Sequence, residues 1–415
     1  MAASSPVEID EACMMVLAAA APLGHETVEV SIEALGRVLG EDVLADEPVP
    51  TFDNASMDGF AVRRADVREA AASSPVALEV VGESRAGSPA QRALGPGEAV
   101  AISTGAMLPA GGDAVVRVED TRVRAPRVEI LRAPAPAQNV RRAGEDVRAG
   151  ATVLRRGATL GPAELGVLAS LGRPRVQLSR RPAVTVLVSG DELLSPAQAM
   201  RPGGVRDTSS LTIPALVRQA GALVSATGRL ADEADATRAG IAAALAGADV
   251  VIVCGGVSVG THDHVRPALR ELGAEQVFWR VALRPGGPLW FGTMGSTLVF
   301  GLPGNPVSAM VTFVLFVGPA LRALLGARDG EHGTSTAALA CDYRKQAGRA
   351  HALRCRLSAR ADGWHAEPTG AQGSHILSSM LGADALAIIP TDATHVSAGD
   401  EVRVEPLRRW GGLGL

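Results

Sequence analysis

The chain is 415 residues long with a formal net charge of −4, and its residues are 47% hydrophobic, 20% charged and 3% aromatic. That length exceeds what one hydrophobic core usually organises, so several domains are expected, and the apolar share excludes a disordered chain. The slightly acidic balance and the scarcity of aromatic side chains exclude the basic patches and stacking platforms of nucleic-acid binders.

The chain opens on MAASSPVEIDEACMMVLAAAAPLG, where Glu8, Asp10 and Glu11 stand at positions that a signal peptide fills with basic residues. An amphipathic helix is expected there instead. Segments 5–46 and 147–178 are rich in Ala and Leu at helical spacing, and they are expected to pair as one discontinuous, elongated domain around an inserted β module at 47–146. Residues 76–145 and 335–410 carry Gly, Pro and short alternating runs without a long helix, which reads as all-β structure, barrel-like in the C-terminal case. Between them, 179–326 alternates short Val/Ile/Leu runs with helical patterns, the signature of an α/β domain built on a parallel sheet covered on both faces. Its strands are expected at 183–189, 222–228, 248–254, 275–283 and 296–302. Asn305 followed by Pro306 reads as an N-cap and first helical residue. The apolar run 307–321 is shorter than a bilayer span and contains Gly318-Pro319, so it is expected as a buried core helix, with no membrane partner. Cys13, Cys254, Cys341 and Cys355 form no CxxC pair, which argues against a disulfide framework or zinc ribbon and for a reducing, cytoplasmic setting. Lys345 is the only lysine, so Arg in place of Lys elsewhere reflects composition rather than altered chemistry.

Several stretches carry candidate chemistry. In CGGVSVGTHDHV the strand ends at Cys254 and turns through Gly255, Gly256, Ser258 and Gly260 into a helix start. Converging backbone N–H groups there suit a phosphate or other oxyanion, and a plain strand-to-helix turn capped by Asp263 is the equal alternative. His262 and His264 are two residues apart and lack a third ligand, so they do not read as a metal site. VSGDELL ends another strand with Asp191 and Glu192, VRDTSSLTI adds Asp207 and Ser209, and RLADEAD adds Asp232. Taken singly these are caps. In a parallel sheet all strand carboxyl ends lie on one edge, so acids ringing an anion cradle fit a divalent cation such as Mg²⁺ beside phosphate. PTFDNASMDGFAV, STGAMLPAGGDAVV and RRAGEDV supply polar turns with Asp53, Asn54, Ser56, Asp58, Gly59, Thr104, Arg141, Arg142, Glu145 and Asp146, while RPGGPLWFG, GLPGNPVSA and GAQGSHILSS supply rigid Gly/Pro turns.

Eight of these blocks, in the chain order DNASMDGFAV, STGAMLPAGGDAVV, RRAGEDV, SGDEL, GGVSVGTHDHV, RPGGPLWFG, GLPGNPVSA and GAQGSHILSS, resemble the molybdopterin molybdenumtransferase family, the molybdenum insertases related to the gephyrin E domain, over nearly the whole chain. The resemblance implies an elongated four-domain subunit in a two-fold homodimer that binds adenylylated molybdopterin, hydrolyses its pyrophosphate bond with Mg²⁺ and inserts molybdate. It implies catalytic roles for Asp58, Glu192, Asp232 and Asp263, and a functional position for Asp146. Thr104, Gly255, Gly256, Ser258, Gly260, Pro303, Asn305 and Ser374 are then expected to bind substrate, with Asp191, Glu192 and Asp263 on Mg²⁺. Arg280 and Arg284 stand for family lysines and are expected to attract molybdate, and Gly287 replaces a third lysine. The family's site forms where modules of opposite subunits face each other, so Asp58 is expected to act in trans with Asp263. A molybdopterin adenylyltransferase and molybdoenzymes or their chaperones are implied as further partners. The alternatives are a non-catalytic pterin-binding scaffold and an adenylyltransferase, the latter resembling only the central block.

Overall fold

The computed structural model describes residues 5–257, 263–328 and 335–407. They form two compact units, one of 42–156 and 162–174, the other of the described residues in 5–41, 157–161 and 175–407.

The first unit is built on a six-stranded sheet in the order Ala114–Arg117, Gly59–Val62, Glu98–Ile102, Val76–Ser84, Arg127–Ile130, Thr121–Arg124. Its short alternating runs bury apolar side chains on both faces. Phe60, Val62, Leu78 and Val116 enter one cluster, and Ala61, Val100, Ile102 and Val115 the other. That alternation is the period-two signal of β structure, matching the all-β expectation for this stretch.

The second unit centres on a six-stranded sheet ordered Leu223–Leu230, Ala183–Ser189, Val250–Cys254, Thr297–Leu302, Trp290–Met294, Glu275–Trp279. The first four strands are parallel and the last two antiparallel. Successive residues of the continuous Val/Ile runs feed opposite faces: Val184, Val186, Val188 and Ile252 go to one core, Leu187, Val251, Val253 and Val299 to the other. The expectation of a fifth parallel strand at 275–283 is corrected. That run ends at Trp279 and pairs antiparallel with Trp290–Met294, a strand the Gly/Pro turn RPGGP had concealed. Antiparallel edge strands on an otherwise parallel sheet are common, because only the buried centre requires crossover helices.

The helix Ile9–Ala19 lays Ile9, Ala12 and Val16 into the same core as the helix Pro306–Leu324. The latter is long and apolar enough to cross a membrane by composition, but 78% of it is buried inside the protein, as expected for a core helix. Its middle, Phe313–Val317, widens into a π turn just before Gly318-Pro319. Pro319 has no N–H to offer the Leu315 carbonyl four residues back, and the Cys13 thiol donates to that oxygen instead, at 3.2 Å. Burial pushes the Cys13 thiol up to about 12, so it stays protonated as this donor.

The C-terminal strands close on themselves as Ala350–Arg360, Gly363–Pro368, Thr336–Leu339, Glu401–Pro406 and Ala385–Ile389, the last pairing back to the first. This five-stranded barrel has its own core of Leu339, Leu353, Ile389, Val402 and Val404. Leu283–Arg284 adds to it in parallel against Ala350 and His351.

Candidate functional site

The four parallel strands end in register, with Val188 beside Cys254, Cys254 beside Leu302, and Ser189 beside Leu230. The residues that follow each strand therefore line one edge: Gly190-Asp191-Glu192, Asp232, Gly255-Gly256, and Pro303-Gly304-Asn305. Gly255 has φ 93, and a Cβ there would stand 2.7 Å from the Ser189 carbonyl oxygen. Only glycine lets these two strand ends approach so closely. Ser258, Gly260 and His262 lie outside the described residues.

The acids divide by what they already hold. Asp232 accepts the Ser189 hydroxyl at 2.9 Å and the Asp191 N–H at 3.0 Å, so both its oxygens are spent fixing the turn that carries Asp191 and Glu192. Asp207 accepts the Ser210 N–H at 3.0 Å and caps the helix Ser209–Gln219. Asp191 and Glu192 are exposed, and Glu192 folds back so that a Cβ on Gly190 would meet its carboxylate at 2.8 Å. Asp263 is half-buried just before the helix Val265–Glu271. Among the described residues no three His, Cys, Asp or Glu side chains converge to hold a metal ion, so Asp191, Glu192 and Asp263 are not a preformed cage.

Two guanidinium groups outside the expected set shape this edge. Arg229 donates to the carbonyls of Gly190 at 2.6 Å and Leu193 at 2.7 Å, and Arg201 donates to that of Asp191 at 2.5 Å. Their signal in the sequence is faint, since each is a lone Arg in a chain full of them.

Asn305 does precede the helix Pro306–Thr312, but its exposed side chain makes no capping bond. The Val307 N–H of that helix donates to the Ser374 carbonyl at 3.3 Å, which brings the GAQGSHILSS loop of the barrel to the same strand-end edge as Pro303 and Asn305. Arg280 follows Trp279 at the end of its strand and has a left-handed backbone with φ 76. Arg284 is exposed on the strand that joins the barrel, beside His351, whose Nδ1 lies 2.9 Å from the Tyr343 hydroxyl. Gly287 is tight: a Cβ would stand 3.1 Å from the Leu283 carbonyl oxygen.

Three motif loops meet within the first unit. Asp58 accepts the Thr104 N–H at 2.6 Å and its hydroxyl at 2.9 Å, and these two bonds, the backbone one first, hold its carboxyl below the usual Asp range. Asp53 accepts the Ala143 N–H at 2.8 Å, the leading cause of its own lowered pKa. The pair Asn54–Ala55 runs antiparallel to Val140–Arg141, and the Asp146 N–H donates to the Val49 carbonyl at 3.1 Å. DNASMDGF, STGAM and RRAGED are thus stitched together by the residues the sequence singled out.

Comparison with known proteins matches three consecutive regions of the chain. Residues 7–172 match the MoeA N-terminal region (domain I and II), 185–323 a probable molybdopterin binding domain, and 336–407 the MoeA C-terminal region (domain IV). The chain is similar to a molybdopterin molybdenumtransferase of Haemophilus influenzae, at 38% identity over 90% of this chain and 92% of the relative. It is similar to that of Bacillus subtilis at 33% identity over 98% of this chain and 96% of the relative. Among solved structures it resembles a molybdopterin biosynthesis MoeA protein from Pyrococcus horikoshii OT3, with TM-score 0.83, 30% identity and coverage of 96% and 99% of the two chains.

Proposed function

The chain belongs to the molybdopterin molybdenumtransferase (MoeA) family, and from that premise we propose that it inserts molybdenum into adenylylated molybdopterin with release of AMP. The observation that carries this reading is the shared edge of the second unit, where Gly255, the acids after strands 183–189 and 223–230, Asn305 and the Ser374 loop lie side by side. In an open parallel sheet that edge is where phosphate-bearing ligands sit.

Hydrolysis takes up one water and breaks the pyrophosphate P–O–P bond to give AMP and the pterin monophosphate, while molybdate exchanges two of its oxygens, which leave as water with protons from the thiols and solvent, for the two dithiolene sulfurs. The dithiolene sulfurs belong to the substrate, so no protein thiol is required. Cys254 is buried, its thiol pushed up to about 12 by desolvation, and it packs rather than reacts. Gly255 and Gly256 hold the adenylyl phosphate, and Asp263 orients the attacked bond. Asp232 keeps the Asp191-Glu192 turn in place. Mg²⁺ retains several waters and takes one or two carboxylates plus substrate phosphate, so the exposed pair Asp191 and Glu192 fits it without a third protein ligand. Bound there, it would lower the charge cost of attack at phosphorus. Arg280 and Arg284 attract molybdate, and Asp58, Thr104 and Asp146 are functional positions on the first unit's own motif loops.

The four-part division 5–46 with 147–178, 47–146, 179–326 and 335–410, a homodimer and a cytoplasmic location belong to the same reading. The test is incubation with adenylylated molybdopterin, Mg²⁺ and molybdate, following AMP and active cofactor. AMP with molybdate consumption supports the insertase, and the absence of both products sinks it.

A further inference from the structure

Arg266, Trp279 and Arg280 form one stacked group. The guanidinium carbon of Arg266, at the start of the helix Val265–Glu271, lies 3.5 Å from the centroid of the Trp279 ring, and that of Arg280 lies 4.5 Å from the same ring. The indole is anchored, because its Nε1–H donates to the Val257 carbonyl at 3.2 Å. Arg280 is anchored too. Its N–H donates to the Leu289 carbonyl at 2.9 Å and its own carbonyl accepts the Val7 N–H at 3.0 Å, which holds the left-handed φ of 76 that an L side chain resists. With its backbone held from both sides, Arg280 has its guanidinium over the ring.

This group is electrostatically incomplete. Burial first, and then the charge of Arg280, push the pKa of Arg266 down, with Asp263 acting the other way. Among the described residues neither guanidinium makes a hydrogen bond or ion pair with a carboxylate, and Arg266 Nε is buried with no hydrogen-bond partner. Two partly desolvated like charges on one ring repel unless an anion bridges them. The flat guanidinium fork, held by stacking, is the donor geometry that tetrahedral oxyanions take in bidentate fashion.

We infer that Arg266 and Arg280 together bind a tetrahedral dianionic oxyanion, with Trp279 as the platform that fixes both guanidinium planes. Arg266 lies outside every motif assigned above. The identity of the anion rests on the insertase reading, which supplies two sources of this chemistry: molybdate and the phosphates of the pterin substrate.

The test is calorimetric titration of the full-length protein at low ionic strength with sodium molybdate and, separately, sodium pyrophosphate. Wild type is compared with Arg266→Met, Arg280→Met and Arg266→Lys, and circular dichroism checks each fold. Methionine keeps an apolar stem on Trp279 and deletes the charge, whereas lysine keeps the charge without the fork. Wild type should bind at least one of the anions, each Met variant should weaken that anion about tenfold or more, and Lys should recover part of the loss. Loss confined to molybdate assigns the site to the metal oxyanion, and loss confined to pyrophosphate assigns it to the pterin's phosphates. Wild type that binds neither anion, or Met variants that bind both as wild type does, overturn the inference. Should Arg266→Met misfold, Arg280→Met and Arg266→Lys decide the same question. Binding needs no turnover, so failure of AMP release would count against the insertase reading and leave this result standing.

Discussion

Gly255→Ala and Gly247→Ala make a matched pair. Both glycines have left-handed backbone, φ 93 and φ 86, and they sit at opposite ends of the strand Val250–Cys254. The left-handed conformation alone costs an L-alanine about 1–2 kcal/mol. At Gly247 nothing lies within 4 Å of the added methyl group, so that is the whole cost. At Gly255 the methyl group would stand 2.7 Å from the Ser189 carbonyl, well inside the 3.4 Å at which ordinary contact begins. The neighbouring strand end must move by several tenths of an ångström, and overpacking of this kind adds about 1–3 kcal/mol. With about 2–4 °C of melting temperature per kcal/mol for a domain of this size class, Gly247→Ala should lose a few degrees and Gly255→Ala roughly twice as many. Scanning calorimetry measures both. The AMP-release assay should separate them further, with Gly247→Ala active and Gly255→Ala largely inactive, because only the latter displaces Ser189 and the turn that Asp232 holds. Equal melting losses together with equal retained activity would refute the claim that close approach at Gly255 builds this edge.

Thr104→Val removes a hydroxyl but keeps the N–H, which is the larger cause of Asp58's lowered pKa, so the carboxyl should titrate higher than in wild type yet below free Asp by carboxyl-carbon NMR. An unchanged titration would show that the hydroxyl contributes nothing. Burial first, then Arg284, Lys345 and Arg349, push His351 down to about 4 from 6.5. The unfolded chain thus binds a proton between those values that the folded one does not, so this group's stability is full above pH 6.5 and is lost as pH falls toward about 4. His351→Gln should flatten that part of the urea-midpoint profile, and a profile as steep as wild type would count against the assignment. Asp263→Asn should abolish AMP release with the fold intact, and wild-type turnover would make Asp263 only a cap. If the homodimer shares its sites, co-refolding Asp58→Asn with Asp263→Asn should restore roughly a quarter of wild-type activity, since half the dimers are mixed and each has one sound site of two. Mixtures that exchange subunits and stay inactive would refute sharing.

The central sheet is legible because its signals are local. Runs such as VVIVC and TLVFGL are buried on both faces, so they read as uninterrupted Val/Ile/Leu, and parallel order then forces Gly190, Asp232, Gly255 and Pro303 to one edge. The polar motifs are legible for a similar reason, since turns need Gly, Pro, Asp and Asn at fixed positions whatever lies across from them. Pairing between distant segments leaves no such local trace. Glu275–Trp279 carries the same β-forming residues whether its neighbour runs parallel or antiparallel, and only the hairpin through Trp290 decides it. The closure of Ala385–Ile389 onto Ala350–Arg360 is likewise a matter of register across the fold. Asp232 looks like any strand-end acid until Ser189 and the Asp191 N–H occupy both its oxygens. Arg266 looks like any of the chain's many arginines until the fold stacks it on Trp279 beside Arg280. Composition and spacing determine which residues are available and which segment each belongs to. Which of them meet, and so which charges are spent on the protein and which are left for a ligand, is decided only when the chain closes on itself.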